Sequence, residues 1–160
     1  AMSPLCIHLA ESIASLVLSL SFQKPQFETE YATIIYPCEG FDPLQILKAV
    51  ENERATAIYG VPTMFISLLE HPEFDTFNLK SLRTGIMAGS PCPIEILTKV
   101  RSLMHMRDVQ IAYGMTETSP VSTQTRIGSS LDKQVTTVGQ VHPHLEGFCA
   151  EMNALREVGK

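Results

Sequence analysis

The sequence predicts an α/β fold built on a mostly parallel sheet with flanking helices. Three observations carry that expectation. Short β-branched or apolar runs alternate with amphipathic stretches, and most of the runs stop at a Gly or Pro. The stretches between them hold roughly ten residues or more, enough for a helical crossover and too many for a hairpin. Across 160 residues, 44% are apolar and 18% charged, which supplies one domain with a packed core and argues against disorder.

Taken in order, Ala32-Thr33-Ile34-Ile35-Tyr36 reads as a strand stopped by Pro37. Asp42-Pro43-Leu44-Gln45 then starts a helix. Asp42 can cap it, Pro43 suits the first helical position, and Gln45 can return a hydrogen bond to the cap, so the helix should reach about Glu53. A second strand spans Ala55 to Tyr59 and ends at Gly60. After it, Val61, Met64, Phe65, Leu68 and Leu69 recur at helical spacing, and His71-Pro72 closes that helix.

A polar link from Glu73 to Lys80 leads to a third strand around Leu82 to Ala88, and Gly89-Ser90-Pro91-Cys92-Pro93 makes a turn. The next helix is expected to face Ile94, Leu97, Val100 and Leu103 inward, with Glu95 and Lys99 paired outside. Val109 to Tyr113 forms the fourth strand, Val135 to Val141 is expected as one more, and a short helix starts near Glu151. The apolar stretch from Leu5 to Phe22 is interrupted by His8, Glu11 and serines and follows no basic segment. It reads as a helix packed against protein, with a secretory signal or membrane span as the alternative.

Twelve Lys and Arg against seventeen Asp and Glu give a formal charge of −5 with no basic run, which excludes a nucleic-acid partner. Cys6, Cys38, Cys92 and Cys149 form no C-x-x-C pair and read as reduced thiols in a reducing compartment: the cytoplasm, or the mitochondrial matrix in a eukaryote. His142 and His144 could bind metal or sit in a solvated loop. Cys92, beside prolines at a helix start, is either a thiol of lowered pKa or a small buried residue.

The Walker-type phosphate loop, the dinucleotide G-x-G-x-x-G and the G-x-S-x-G nucleophile elbow are all absent. Parallel sheets place ligands outside the carboxyl ends of their strands, so the loops after Tyr36, Tyr59, Ala88 and Tyr113 are the ones to inspect. Two segments stand there: Gly85-Ile86-Met87-Ala88-Gly89-Ser90-Pro91 and Tyr113-Gly114-Met115-Thr116-Glu117. In the second, an aromatic ring can lie on a base, Gly114 admits close backbone approach, Thr116 offers a hydroxyl to a phosphate, and Glu117 can hold a hard cation. The residues alone also allow Tyr113 to close the core, Gly114 to make a turn, and Thr116-Glu117 to start a helix.

Tyr113-Gly114-Met115-Thr116-Glu117, preceded by Gly89-Ser90-Pro91 and by Tyr59-Gly60-Val61-Pro62-Thr63, resembles the adenylate-forming superfamily of acyl-CoA synthetases, firefly luciferases and peptide-synthetase adenylation domains. The similarity is greatest to medium-chain acyl-CoA synthetases of the kind called acyl-CoA synthetase family member 2. It covers about Ile34 to Glu146, including Val138-Gly139-Gln140-Val141-His142-Pro143. The resemblance implies a subdomain of the large domain of an AMP-forming fatty acid–CoA ligase, with ATP, AMP, magnesium and CoA as its small-molecule partners. Tyr113 would stack on adenine, Gly89, Ser90 and Pro91 would line its pocket, and Gly114 and Met115 would complete the nucleotide loop. Thr116 would touch the α-phosphate, Glu117 would bind magnesium, and Val61, Pro62 and Met64 would border the acyl tunnel.

The family's Ser/Thr/Gly-rich phosphate loop, its ribose-binding Asp and its C-terminal lysine have no counterpart in these residues, and Pro4-Leu5-Cys6-Ile7-His8 departs from the family's Pro-Leu-aromatic-His pattern. The expected organisation is an atypical apolar segment over 1–31, a partial AMP-binding domain over 32–146 and an atypical tail over 147–160. A fragment that is inactive alone and self-associates through exposed edges follows from that reading. A non-catalytic pseudoenzyme or interaction fragment retaining only the fold is the competing expectation.

Overall fold

The computed structural model describes residue 35, residues 37–114 and residues 121–141. Beyond the described residues lie nearly all of the expected first strand, the apolar segment before it, Met115, Thr116, Glu117, both histidines of the H-x-H pair and the helix expected near Glu151.

Helix α1, Pro43–Glu53, begins where the sequence requires it to. The Asp42 carboxylate accepts from the Leu44 and Gln45 amides at 2.9 and 3.3 Å, satisfying two of the donors that a helix start leaves open. Arg54 ends the helix in the left-handed region at φ 51°, and its N–H reaches back to the Glu51 and Val50 carbonyls. Strand β1, Ala57–Gly60, leads into α2, Pro62–Leu69, and β2, Thr84–Met87, leads into α3, Ile94–Leu103. Strand β3 is Asp108–Tyr113.

These three strands lie side by side in chain order and are all parallel, with Gly60 level with Met87 and Met87 level with Ile111. Two short strands extend the sheet in antiparallel fashion beyond β3: β4, Thr123–Gln124, and β5, Gln140–Val141. The sheet is therefore mixed, with a parallel heart.

Alternation along the strands sends Ile58, Met87, Val109 and Ile111 into a core shared with Leu47 and Val50 of α1, Phe65 and Leu68 of α2, and Leu97 and Val100 of α3. All three helices thus cover one face. Ile86, Ala112 and Val121 make a small second cluster. Strand β2 runs tight against its neighbours. A Cβ at Gly85 would press into the backbone carbonyl of Ile58 and stand 2.5 Å from the Met106 methyl, so only glycine lets β1 and β2 keep this spacing. Among the described residues, no helix is long and apolar enough to cross a membrane.

Two expectations fail. Val135 to Val141 is not one strand: Leu131–Thr136 forms a short helix, α4, and only Gln140–Val141 is extended. Ser130 caps that helix by accepting from the Lys133 amide, and the buried Gln134 anchors it, so tertiary contacts override the β-branched run. On α3, Ile94 and Leu103 are exposed rather than inward. The buried stripe is Leu97, Val100 and Met104, and the last of these takes the place assigned to Leu103.

Candidate functional site

Because β1, β2 and β3 are parallel and adjacent, the chain leaves all three at the same end of the sheet, and the loops starting at Gly60, Ala88 and Tyr113 come together there. The Ala88 amide donates to the Gly60 carbonyl at 3.1 Å, which carries the pairing one step beyond the strands. The β2–β3 register ends with Met87 opposite Ile111, each two residues before Gly89 and Tyr113 on its own run.

Gly89 holds φ +85°, a left-handed conformation that side chains resist, and a Cβ there would stand 3.0 Å from Val61 Cγ1. Val61 thus lies against the Gly89 backbone. Met64, one turn into α2, folds back over Gly60, with its sulfur 3.3 Å from where a Cβ would be. The structure therefore brings Val61, Met64 and Gly89 into one group. Pro62 is buried at the start of α2, and Ser90 and Pro91 are exposed on the rim.

Tyr113 ends β3 with half of its surface exposed, 51%, an unusual position for a large ring in the middle of a sheet. Its backbone is fixed: the Tyr113 carbonyl accepts from the Ser122 amide at 2.8 Å, and Tyr113 pairs with Thr123 across β4. Gly114, also exposed, follows it. Tyr113 stands outside both core clusters, and Tyr59 at the end of the β1 run is likewise exposed.

The described parts of these three loops hold no Asp, Glu, Lys, Arg or His. Their polar groups are backbone amides and carbonyls plus the Ser90, Tyr113 and Cys92 side chains. Thr116 and Glu117, which the resemblance assigns to the α-phosphate and to magnesium, lie beyond the described residues. Among the described residues, no three His, Cys, Asp or Glu side chains gather in a way that could hold a metal. Burial pushes the Cys92 thiol up to about 11, and its Sγ lies against Met87 Sδ, which makes it a packing residue rather than a reactive thiolate. An open depression lined by Phe74, Phe77, Asn78, Leu103 and His105 sits before the starts of β2 and β3, away from these loops, and brings none of the residues singled out by the motifs together.

Sequence reasoning missed Thr125 and Gln134, polar side chains that are 3% and 2% exposed. Both bond to β3, and neither belongs to a recognisable motif; polarity alone places such residues at the surface.

Residues 31–159 match the family model described as AMP-binding enzyme. The Bacillus subtilis protein YngI is 52% identical over 122 residues, covering 76% of this chain and 22% of its own. The Danio rerio protein named medium-chain acyl-CoA ligase ACSF2, mitochondrial, is 42% identical over 114 residues, covering 71% of this chain and 19% of its own. The chain thus spans about a fifth of the length of these relatives. Among solved structures, the amide bond synthetase McbA from Marinactinospora thermotolerans superposes with a TM-score of 0.55 at 28% identity, over 67% of this chain and 22% of its own. The anthranilate CoA ligase AuaEII in complex with anthranoyl-AMP shares the fold, with a TM-score of 0.60 at 19% identity over 69% of this chain and 20% of its own.

Proposed function

Because this chain belongs to the AMP-binding enzyme family, we propose that it supplies the adenine-facing wall of an ATP-dependent fatty acid–CoA ligase. The observation that carries the reading is the meeting of the Gly60 and Ala88 loops with the end of β3 at the carboxyl end of the parallel sheet, where Tyr113 is half exposed and the described parts of the loops hold no charged side chain. A ring platform and backbone donors recognise a purine by stacking and edge contacts.

In the first half-reaction the substrate carboxylate attacks the α-phosphorus of ATP, forming the acyl-AMP anhydride as pyrophosphate leaves. In the second, the CoA thiol attacks the acyl carbon and AMP departs with the bonding pair. Neither step needs a nucleophilic side chain, so the protein's contribution is positioning and stabilisation of charge. Tyr113 holds the base, and the backbone of Gly89, Ser90 and Pro91 borders it, with Gly114 and Met115 continuing the same wall. Thr116 donates its hydroxyl to the α-phosphate. Glu117 is the assigned ligand of magnesium, which offsets phosphate charge when bound. Val61 and Met64, packed on Gly89 and Gly60, border the acyl chain, and Pro62 sets the start of the helix that carries Met64. The partial AMP-binding domain is assigned to residues 32–146.

Pyrophosphate release by the complete enzyme that carries this segment, with ATP, magnesium and medium-chain fatty acids, tests the reading. Glu117→Gln should lower kcat for adenylation by about a hundredfold or more while the variant stays folded. A Glu117→Gln enzyme with wild-type kcat removes the metal assignment, and a wild-type enzyme that releases no pyrophosphate leaves the non-catalytic fold as the better account.

A further inference from the structure

The side of β3 away from β2 poses a bonding problem that the sheet does not solve. Strand β4 is two residues long and pairs only with Ala112 and Tyr113, so the backbone groups of Val109 and Ile111 on that edge need other partners. Side chains supply two of them. Gln134 Nε2 donates to the Val109 carbonyl at 3.0 Å, and the Ile111 amide donates to Thr125 Oγ1 at 2.9 Å. The Thr125 amide donates in turn to the Ile111 carbonyl at 2.9 Å.

Two further bonds lock the lockers. Gln110 Nε2 donates to the Thr125 carbonyl at 2.6 Å, and Arg101 Nη2 donates to Gln134 Oε1 at 2.8 Å. Hydrogen bonds therefore run from α3 through α4 to β3, and the Ser122–Tyr113 bond closes the edge at its carboxyl end. Thr125 and Gln134 are the two buried polar residues among those described. Burying polar groups is tolerated when each finds a partner in fixed geometry, and these do so along the strand that ends in Tyr113.

We propose that Thr125 and Gln134 are positioning residues for Tyr113: by completing the outer edge of β3 they fix where its ring stands for the adenine. The inference rests on the reading of Tyr113 as the base platform. It assigns to two side chains outside the motifs a measurable share of ATP recognition.

The test is steady-state kinetics of the complete enzyme, with thermal unfolding alongside. Thr125→Val keeps the shape and loses the acceptor, and it should raise KM for ATP about fivefold or more with kcat per folded molecule within about twofold. Thr125→Ser keeps the hydroxyl and should restore KM to within about twofold of wild type. A Thr125→Val enzyme that unfolds earlier yet keeps its KM for ATP makes the threonine merely structural and overturns the proposal. If Thr125→Val does not fold, Gln134→Leu is judged by the same KM criterion.

Failure of the platform reading is recognised separately, by a Tyr113→Ala enzyme whose KM for ATP is unchanged. Amide exchange in the 160-residue chain then decides the clamp. Thr125→Val should speed exchange at Ile111 and Ser122 about tenfold or more while Ile86 and Met87 keep their rates, and Thr125→Ser should not. Unchanged exchange at Ile111 in Thr125→Val overturns the clamp as well.

Discussion

Replacing Gly85 by alanine inserts a methyl group where β1 and β2 already touch. The new Cβ would enter the contact shell of the Ile58 carbonyl oxygen and approach the Met106 methyl at 2.5 Å. Carbon atoms rest at about 3.5–4.0 Å, so roughly an ångström must be found on the methionine side alone. Met106 can swing, but the Ile58 carbonyl cannot, because it belongs to the strand that pairs with Gly85 itself.

The relief available is separation of β1 from β2, which adds about 1 kcal/mol for each weakened ladder bond to the roughly 1–3 kcal/mol that overpacking costs. We expect a total of about 3 kcal/mol, and a melting temperature lower by about 10 °C in a domain of this size. Urea and thermal denaturation of Gly85→Ala beside wild type measure it. A midpoint that does not move would mean that the strands are not held at this spacing, and the convergence of the Gly60 and Ala88 loops would lose its foundation.

Phe65, fully buried where α2 meets the core, should cost about 3–5 kcal/mol when cut to alanine, read from urea midpoints; an unmoved midpoint would make α2 peripheral. Burial that holds the Cys92 thiol near 11 against an ordinary 9.0 also sets a pH dependence. The folded state keeps its proton where the unfolded chain releases one. The contribution of this group to stability is therefore fully present below pH 9 and lost as pH rises from 9 towards 11. Comparing melting curves of wild type and Cys92→Ala across that window checks the sign, and Cys92→Ala should show the shallower decline.

Much of this architecture is legible in the residues because local and tertiary signals agree. Asp42-Pro43 starts α1 as a cap and a first-turn proline should, and the spacing of Phe65 and Leu68 marks the buried face of α2. Where the signals conflict, the sequence misleads. Val135, Thr136 and Val138 favour a strand by branching, yet Ser130 and Gln134 hold the first part as a helix. Ile94 and Leu103 satisfy helical spacing, but the buried stripe runs through Leu97, Val100 and Met104, which leaves these two on its margins.

The candidate site divides along the same line. Motif residues declare themselves through glycine, aromatic and hydroxyl types at strand ends. Thr125 and Gln134 are invisible until β3 is seen to lack a full neighbour, since their role is fixed by a missing ladder rather than by a pattern.

The ATP dependence of adenylation by Tyr113→Ala, in the complete enzyme, tests most directly the claim that this end of the sheet faces adenine. Loss of base stacking, worth about 1–3 kcal/mol, should raise KM for ATP by about 5- to 150-fold with kcat close to wild type and folding intact. An unchanged KM for ATP in a folded Tyr113→Ala enzyme would contradict the account.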